Sequence, residues 1–402
     1  MSLYSKICIW LINLLLVFIV GNLIAFIVVP SNSLKDIDHA DARVNNFIQA
    51  LGDEKLQQLY PQRTPAQILE LLSNQARAIS VYQPFTQFRL PDYRSATFNS
   101  STPGYRHIGN MQGPWPIADG AYNIFLFGGS TTMGSGVADD ETVGAFLQTQ
   151  LRALGGPKFS RANVYNFGTG AYFSTQERLA FEQIALSSTK PDIAIFIDGI
   201  NDLIQWSGQP AFTPFLSSAA ELLQQSWAFK GFGDLMAQSA RKLPLVSLAY
   251  KLGAAQNAPT PFPQVDVDTS EFNDPARFKV AIDRYINNTR LADGVGKIFK
   301  IPTMFVLQPT LFNNYERQKD VLDLMKNFPS GQHYALRAKY GYPLLEKRFN
   351  TAAKSRTNLV SCVSALVASN KILYIDHVHY NIDGNSLLAQ CITDAITRAS
   401  PY

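Results

Sequence analysis

The sequence lacks several features on which whole classes of protein depend. Its 35 basic and 31 acidic residues are mixed along the chain, for a net charge of +4, and no polybasic block is present. Nucleic acid and anionic membrane surfaces are therefore not indicated as partners. Internal repeats and low-complexity tracts are also absent, which argues against a solenoid or a fibrous chain.

Metal ligands and thiols are scarce. His377 and His379 stand close together, but the three cysteines lie elsewhere in the sequence. Since a zinc site needs three or four ligands, no metal is indicated, and no cofactor is expected. Cys362 and Cys391 both fall near the carboxyl end. An oxidising compartment would allow them to pair, and two buried free thiols are the alternative.

One apolar run, residues 7–29, is long and uncharged. About 20 apolar residues span a bilayer. A cleaved signal peptide has a shorter apolar core followed by a small-x-small site, whereas this run leads into Val-Val-Pro-Ser-Asn-Ser. We therefore predict an uncleaved signal anchor over residues 1–29 rather than a signal peptide. Lys6 precedes the run and acidic residues follow from Asp36, a slight bias that predicts a cytoplasmic N-terminus and a main domain outside the cytoplasm, in the periplasm of a Gram-negative cell.

The rest of the chain divides by its pattern. Thr64 and Gln67, with a proline between them, are typical of a helix that begins with a capping box. The aromatic, proline-rich stretch that follows this helix has no period and predicts an extended segment. The predicted regions are a membrane-proximal helical and extended region at 30–116 and an α/β domain at 117–402, with an insertion at about 203–272.

Short apolar strands alternate with helical stretches from residue 122 onward. This pattern is typical of an α/β fold with three layers, α/β/α, in which helices cover both faces of a mostly parallel sheet. The predicted strands are 122–127, 162–167, 192–197, 303–307 and 372–375. The predicted helices are 141–154, 174–186, 275–299 and 382–399. Ser174 and Glu177 match a capping box at the start of the second of these helices.

The first predicted strand breaks at Gly128-Gly129 and presents Ser130 before a helical pattern. A serine there lies at the carboxyl end of a strand, where open α/β sheets bind ligands, and near a helix N-terminus, where N–H groups can hold negative charge. A phosphate-binding P-loop would need a lysine after its last glycine, and the nucleophile elbow of α/β-hydrolases would need glycine at Thr132. Both are excluded, which leaves a nucleophile or an idle serine in a glycine-rich turn.

Three further strand ends carry polar or glycine-rich groups. Because parallel strands end on one rim of a sheet, these groups can converge on the serine. They are Asn166-Phe-Gly168-Thr-Gly170-Ala171, then Gly199-Ile-Asn201-Asp202, and finally Asp376-His-Val-His379.

In this order, the four blocks resemble those of the SGNH, or GDSL-type, hydrolase family. The family has a serine after the first strand, a glycine after the second, Gly-x-Asn-Asp after the third and Asp-x-x-His near the end. The resemblance covers about residues 122–399, with the insertion unmatched, and its last two blocks are the most specific. The sequence departs from the family at Gly129, where relatives usually carry an aspartate that supports the loop, and in the second block, where the alignment selects either Gly170 or Ala171.

The resemblance implies a catalytic triad, and the chemistry of the side chains agrees with it. Ser130 is the expected nucleophile, His379 would take its proton and return it to the leaving group, and Asp376 would hold the other ring nitrogen. His377 is the weaker candidate for the base, because adjacent residues on a turn point apart. The alternative for His379 is a hydrogen-bonded surface histidine.

Attack on an acyl carbonyl creates an oxyanion that needs hydrogen-bond donors. The expected donors are the backbone N–H of Ser130, a backbone N–H at Gly170 or Ala171, and the side-chain amide of Asn201. Alternatively, Asn201 could cap the segment that follows it, together with Asp202. We expect Asp202 to support the loop rather than to belong to the triad.

These observations predict a membrane-tethered serine esterase that acts outside the cytoplasm on an acyl ester, such as an acylated carbohydrate or lipid. If a sugar hydroxyl accepts the acyl group, the same site would be an O-acyltransferase acting on envelope polysaccharide. A third hypothesis is a non-catalytic, membrane-anchored scaffold, which is motivated by Gly129 and by the large unmatched segments. The membrane is an expected partner through the N-terminal helix, and no protein partner is indicated.

Overall fold

The computed structural model describes residues 2–28, 44–45, 47–49, 51–205, 274–325 and 332–399. The chain forms two compact units, and the described part of the first is one helix, α1 (Leu3–Val28). Its residues Leu3–Ile24 have a mean hydropathy of 2.6, so the helix is long and apolar enough to cross a membrane; a signal sequence has the same properties. Beyond residue 205, the predicted insertion at 203–272 lies outside the described residues.

The second unit contains the sheet and the helices around it. Its strands are β1 (Val81–Gln83), β2 (Gln87–Arg89), β3 (Ser100–Ser101), β4 (Tyr105–Arg106), β5 (Tyr122–Gly128), β6 (Ala162–Asn166), β7 (Ile193–Asp198), β8 (Thr303–Leu307) and β9 (Leu359–Ser361). Its helices are α2 (Asp53–Leu59), α3 (Pro65–Arg77), α4 (Ser130–Met133), α5 (Val143–Leu154), α6 (Gly156–Phe159), α7 (Ser174–Ala185), α8 (Ile200–Ile204), α9 (Pro275–Phe299), α10 (Gln318–Met325), α11 (Gln332–Ala353) and α12 (Ile382–Ala399).

The main sheet has the strand order β3-β4-β6-β5-β7-β8-β9. Strands β5 to β9 run parallel, while β3 and β4 add an antiparallel edge. β5 is flanked by β6 and β7, with Leu126 beside both Asn166 and Ile195. The carboxyl ends of these central strands therefore lie on one rim. β1 and β2 form a separate antiparallel hairpin.

Alternate residues of β5 build two cores, because successive side chains of a strand point to opposite faces. Ile124 and Leu126 belong to one cluster of buried apolar residues, and Phe125 and Phe127 belong to another. On the second face Phe127 stacks on the ring of Phe196 at 5.0 Å between ring centroids. Burying each such ring contributes about 1.5–3 kcal/mol. With helices on both faces, the fold is the three-layer α/β architecture that the sequence predicts.

Most predicted elements are confirmed, with boundaries that differ by a few residues. The capping box of α3 is present, because the Thr64 side chain accepts a bond from the backbone of Gln67 while the Gln67 side chain bonds the backbone of Thr64. Helices α9 and α12 have the predicted bounds. The domain boundaries expected from the sequence stay predictions, and the described residues between 44 and 205 belong to the same compact unit as the sheet.

The predicted strand at residues 372–375 is wrong. This segment pairs with its own return, where Ile375 N–H donates to the His379 carbonyl at 2.9 Å and Tyr374 bridges Tyr380. The last strand of the sheet is instead β9, which precedes the predicted position. β9 has only three residues, too few to produce a periodic signal in the sequence.

The capping box predicted at Ser174 and Glu177 is also wrong. Ser174 is the first residue of α7 rather than its cap, and its backbone N–H and hydroxyl both donate to the carboxylate of Asp202, at 3.1 and 2.5 Å. Asp202 lies on α8, so a group from another strand end satisfies the helix N-terminus. Asp202 thus supports this region, as expected from the sequence.

Candidate active site

Ser130 lies at the rim formed by the ends of the parallel strands. It is the first residue of α4 and follows β5 after a single extended residue, Gly129. The preceding Gly128 has no room for a side chain, since a Cβ there would lie 2.6 Å from the Cβ of Thr132 and 2.7 Å from the carbonyl oxygen of Ile197. Glycine therefore allows the turn to pack against β7 while exposing the serine at its top.

The structure brings His379 to Ser130 across 249 residues of sequence. His379 Nε2 lies 2.7 Å from the Ser130 hydroxyl oxygen, and His379 Nδ1 lies 2.6 Å from Asp376 Oδ2. The other carboxylate oxygen of Asp376 accepts the backbone N–H groups of Val378 and His379, both at 2.7 Å. The Asp-x-x-His spacing thus closes a tight turn that fixes the carboxylate beneath the ring, which favours the tautomer with the proton on Nδ1.

The electrostatics of this pair favour a charged aspartate and a basic histidine. Burial raises the pKa of Asp376, but the charge of His379 and the bonds to its ring and backbone outweigh that effect and lower the pKa to about 2. Burial lowers the pKa of His379, and the charge and hydrogen bond of Asp376 more than compensate, leaving it above its usual 6.5. The two side chains are 31% and 23% exposed, so a substrate can reach them.

The candidate oxyanion donors come from three strand ends. Thr169 N–H donates to the carbonyl of Gly128 at 3.0 Å. This bond joins the loop that follows β6 to the serine loop, by which we mean the turn after β5 that carries Ser130. Tyr172 N–H donates to the Thr169 carbonyl at 3.1 Å and closes a turn around Gly170 and Ala171, with Ala171 in the left-handed region at φ 65°. Within the described chain, the N–H groups of Ser130, Gly170 and Ala171 donate no hydrogen bond, so all three remain available.

Asn201 lies on the third strand end and faces Gly129. Its Nδ2 donates to the carbonyl of Tyr172 at 2.7 Å, which leaves the second amide proton available. A Cβ on Gly129 would lie only 2.2 Å from Asn201 Nδ2 and 2.9 Å from the Tyr172 carbonyl oxygen. The glycine that departs from the family pattern therefore occupies a place where the Asn201 amide leaves no room for a side chain.

The model of the GDSL-like lipase/acylhydrolase family matches residues 124–392, more than half of the chain. The chain is a GDSL-like lipase/acylhydrolase. The resemblance noted in the sequence is confirmed, and the chain is an ester-bond hydrolase of the acylhydrolase or esterase type.

No curated protein matches the sequence of this hydrolase. Solved structures similar to it include a lipolytic protein of the G-D-S-L family from Veillonella parvula DSM 2008, with 13% identity, a TM-score of 0.36 and coverage of 69% of this chain and 98% of the other. The acetyl xylan esterase AlAXEase has 14% identity and a TM-score of 0.36, covering 68% and 99%. The lipase Lip_vut3 from a goat rumen metagenome has 11% identity and a TM-score of 0.38, covering 68% and 97%.

The serine loop of this hydrolase is held from below by Arg106, which the sequence analysis missed. The Arg106 side chain is fully buried and pairs with Asp139 at 2.9 Å. Its remaining N–H groups donate to backbone carbonyls at the end of α4 and just after it, those of Met133, Gly134 and Val137, at 2.9, 2.5 and 2.7 Å. In the sequence, the only sign of this role is that Arg106 stands in an aromatic, non-periodic stretch. The pairing of β4 with β6 is what brings Arg106 under the turn that carries Ser130.

Two predicted residues lie apart from this arrangement. His377 makes no side-chain hydrogen bond with any residue that the structure describes, and its pKa is lowered, chiefly by burial. Asp202 bonds Ser174 and not His379. Among the described residues, no group of three or more histidine, cysteine, aspartate and glutamate side chains could hold a metal ion.

A disulfide joins Cys362, just after β9, to Cys391 on α12. It encloses the turn that carries Asp376 and His379, so it ties this turn to the sheet. Of the two alternatives that the sequence leaves open, the structure has the bonded pair. Cys8, on α1, is free.

Proposed function

We propose that this hydrolase is a serine esterase in which Ser130, His379 and Asp376 form the catalytic triad. The observation that carries the proposal is the continuous chain of short hydrogen bonds from Asp376 through His379 to the Ser130 hydroxyl. A serine hydroxyl is a weak nucleophile unless an adjacent base accepts its proton. The 2.7 Å contact to a ring nitrogen of raised pKa meets that requirement.

The reaction proceeds in two halves through an acyl-enzyme. Ser130 Oγ attacks the ester carbonyl while its proton passes to His379 Nε2, and the imidazolium is stabilised by Asp376. The tetrahedral oxyanion collapses, the bond to the alcohol breaks, and His379 donates its proton to the departing alkoxide. Water then attacks the acyl-enzyme with His379 as base, which releases the acid and regenerates the Ser130 hydroxyl.

The oxyanion would be held by the N–H of Ser130, an N–H from the turn at Gly170 and Ala171, and the Asn201 amide. The free state of these backbone donors and the second amide proton of Asn201 support this assignment. Of the two turn residues, Ala171 is favoured, because its left-handed conformation at φ 65° is uncommon for alanine and therefore points to a specific requirement at this position. Removing one such donor typically costs about 100- to 1,000-fold in kcat.

The proposed location of this activity is outside the cytoplasm, with α1 as an uncleaved signal anchor. The length and hydropathy of α1 support an anchor. The Cys362–Cys391 disulfide supports an oxidising compartment. Protease added to spheroplasts should digest the α/β unit, whereas protection of the whole chain would contradict this topology.

A fluorophosphonate probe tests the triad directly, since it labels only an activated serine. We expect labelling of the wild type and its loss in Ser130→Ala and His379→Ala, with folding verified by circular dichroism. A folded wild type that neither reacts with the probe nor hydrolyses p-nitrophenyl acetate would support the scaffold hypothesis instead. Labelling that persists in Ser130→Ala would show a different nucleophile.

A second experiment identifies the molecule that accepts the acyl group from Ser130. We propose water, because the chain belongs to a family of acylhydrolases. Release of acetate from an acetylated polysaccharide should then be unaffected by added unacetylated polysaccharide. Acetate that appears on the added polysaccharide, with less released to water, would identify an O-acyltransferase.

A further inference from the structure

A cavity of about 390 Å³ opens next to the turn that carries Gly170 and Ala171. Its volume lies within the range of small-molecule sites, about 300–1,000 Å³. None of the triad residues is among the described residues that line it. Seven of the fifteen described lining residues precede residue 124, where the family match begins, and the other eight follow it. The lining residues that carry polar or aromatic groups include Gln83, Arg89, Trp115, Phe167, Tyr172 and Gln183.

Arg89 is the one charged residue among the described residues that line the cavity. Its Nε donates to Gln83 at 3.2 Å and its Nη1 donates to the Leu90 carbonyl at 2.8 Å. It makes no ion pair within the described chain. The carboxylate of Asp92 accepts the N–H and hydroxyl of Thr102, and these bonds, with a smaller contribution from the charge of Arg89, lower the pKa of Asp92. Nη2 of Arg89 donates no hydrogen bond within the described chain, so the guanidinium retains donors that can bind a carboxylate.

Two amide side chains extend the polar wall from Arg89. Gln83 Oε1 accepts from Arg89, and Gln83 Nε2 donates to Gln183 Oε1 at 3.4 Å, while Gln183 Nε2 donates to the backbone carbonyl of Pro84 at 3.2 Å. The bonds fix which end of each amide is donor and which is acceptor. Each group retains hydrogen-bonding capacity, as a site for hydroxyl groups requires.

Trp115 supplies an apolar surface to the same cavity. Its ring packs against four others, those of Tyr105, Phe125, Tyr165 and Phe167, at centroid distances of 5.3 to 6.1 Å. These contacts hold the indole in one orientation while it remains half-buried. A rigid indole face suits the C–H face of a sugar ring, which is apolar although its edge carries hydroxyls.

We propose that this cavity binds a sugar unit that bears a carboxylate, as the carbohydrate part of an acylated substrate. The proposal rests on the esterase function proposed for Ser130. Arg89 pairs with the carboxylate, the Gln83 and Gln183 amides bond ring hydroxyls, and Trp115 contacts the ring face. A fatty acyl chain fits less well, because it would cover Arg89 Nη2 and both amides without giving them a hydrogen-bond partner.

The cavity also adjoins the proposed oxyanion turn. Thr169 and Tyr172 line it and flank Gly170 and Ala171 in sequence. The Tyr172 carbonyl on the same turn accepts the bond from Asn201. A saccharide bound here therefore lies beside the segment proposed to supply an oxyanion donor, which gives acylated acidic saccharides an advantage over small esters.

Binding can be measured separately from catalysis in Ser130→Ala, which cannot turn substrate over. Isothermal titration calorimetry of the full chain in detergent would compare tetragalacturonate, which is acidic, with cellotetraose, which is neutral. We expect saturable binding of tetragalacturonate that is at least tenfold tighter than that of cellotetraose. Adding Arg89→Gln should weaken tetragalacturonate binding at least tenfold and leave cellotetraose binding unchanged.

Two further variants make this experiment decisive. Trp115→Phe should weaken binding of both saccharides, because both have an apolar ring face. The matched control is Arg290→Gln, which removes an exposed arginine that does not line the cavity and should leave both affinities unchanged. Folding of each variant is checked by circular dichroism.

The outcomes separate this inference from the esterase proposal. Saturable binding together with a folded wild type that hydrolyses no ester would retain the cavity and reject the esterase. Hydrolysis of p-nitrophenyl acetate without measurable tetragalacturonate binding would reject the cavity and retain the esterase. Equal affinity of the parent and Arg89→Gln for tetragalacturonate would overturn the assignment of the carboxylate to Arg89.

Discussion

Replacing Gly129 with alanine is expected to remove most of the activity while the protein remains folded. A Cβ at this position would lie 2.2 Å from Asn201 Nδ2 and 2.9 Å from the Tyr172 carbonyl oxygen. Ordinary van der Waals contact begins at 3.4 Å. The Asn201 amide must therefore move away by roughly 1 Å, and a displacement of this size can by itself lower the rate about 100-fold.

The magnitude follows from the role proposed for Asn201. If the amide is an oxyanion donor, its displacement should lower kcat by about 100-fold, at the lower end of the range for losing one such donor. Asn201→Ala should lower kcat by a similar factor. Because both changes remove the same interaction, the double variant should be no slower than the slower single variant, which is the non-additivity expected of residues that act together.

The assay is hydrolysis of p-nitrophenyl acetate under saturating conditions, with thermal unfolding as a check of the fold. Gly294→Ala is the matched control, because Gly294 lies in α9, where a Cβ would have no neighbour within 4 Å. Alanine there should leave kcat unchanged. Near-wild-type activity of Gly129→Ala, or losses that multiply in the double variant, would refute the coupling between these two residues.

Three more predictions concern pH and stability. His379 must be neutral to accept a proton, and its pKa is raised above 6.5. We therefore expect kcat/KM to decrease as the pH is lowered, with a midpoint above pH 6.5. A midpoint at or below pH 6.5 would contradict this. Reducing the Cys362–Cys391 disulfide should lower the free energy of unfolding by about 3.5 kcal/mol on chain-entropy grounds, measured by urea unfolding with and without reductant. Arg106→Gln should lower the free energy of unfolding by about 3–5 kcal/mol, because the buried Asp139 carboxylate keeps its hydrogen bonds from Asn99 but loses its counter-charge; an unchanged urea midpoint would contradict that.

The sequence by itself determined the features that depend on residues close together along the chain. The apolar strand before Gly128 and the glycines after it are local signals, so they indicate both the sheet and the turn at Ser130. The Asp-x-x-His spacing is also local, because Asp376 bonds the backbone and the ring of His379 within one turn. The convergence of Ser130, the turn at Gly170 and Asn201 could be predicted because parallel strands must end on one rim. The arrival of His379 there could not be derived in this way, because the segment before Asp376 is not a strand of the sheet.

Only the tertiary structure decided which groups occupy the space between those elements. The sequence marks Gly129 as a departure from the family but not as the place against which Asn201 packs. It presents Ser174 as a helix cap, whereas the Asp202 carboxylate takes that role from another strand end. Arg106 beneath the serine loop depends on the order of strands, since β4 lies next to β6. Contacts of this kind join residues that are far apart in the chain, and their partners are set by strand register and packing rather than by any pattern along the sequence.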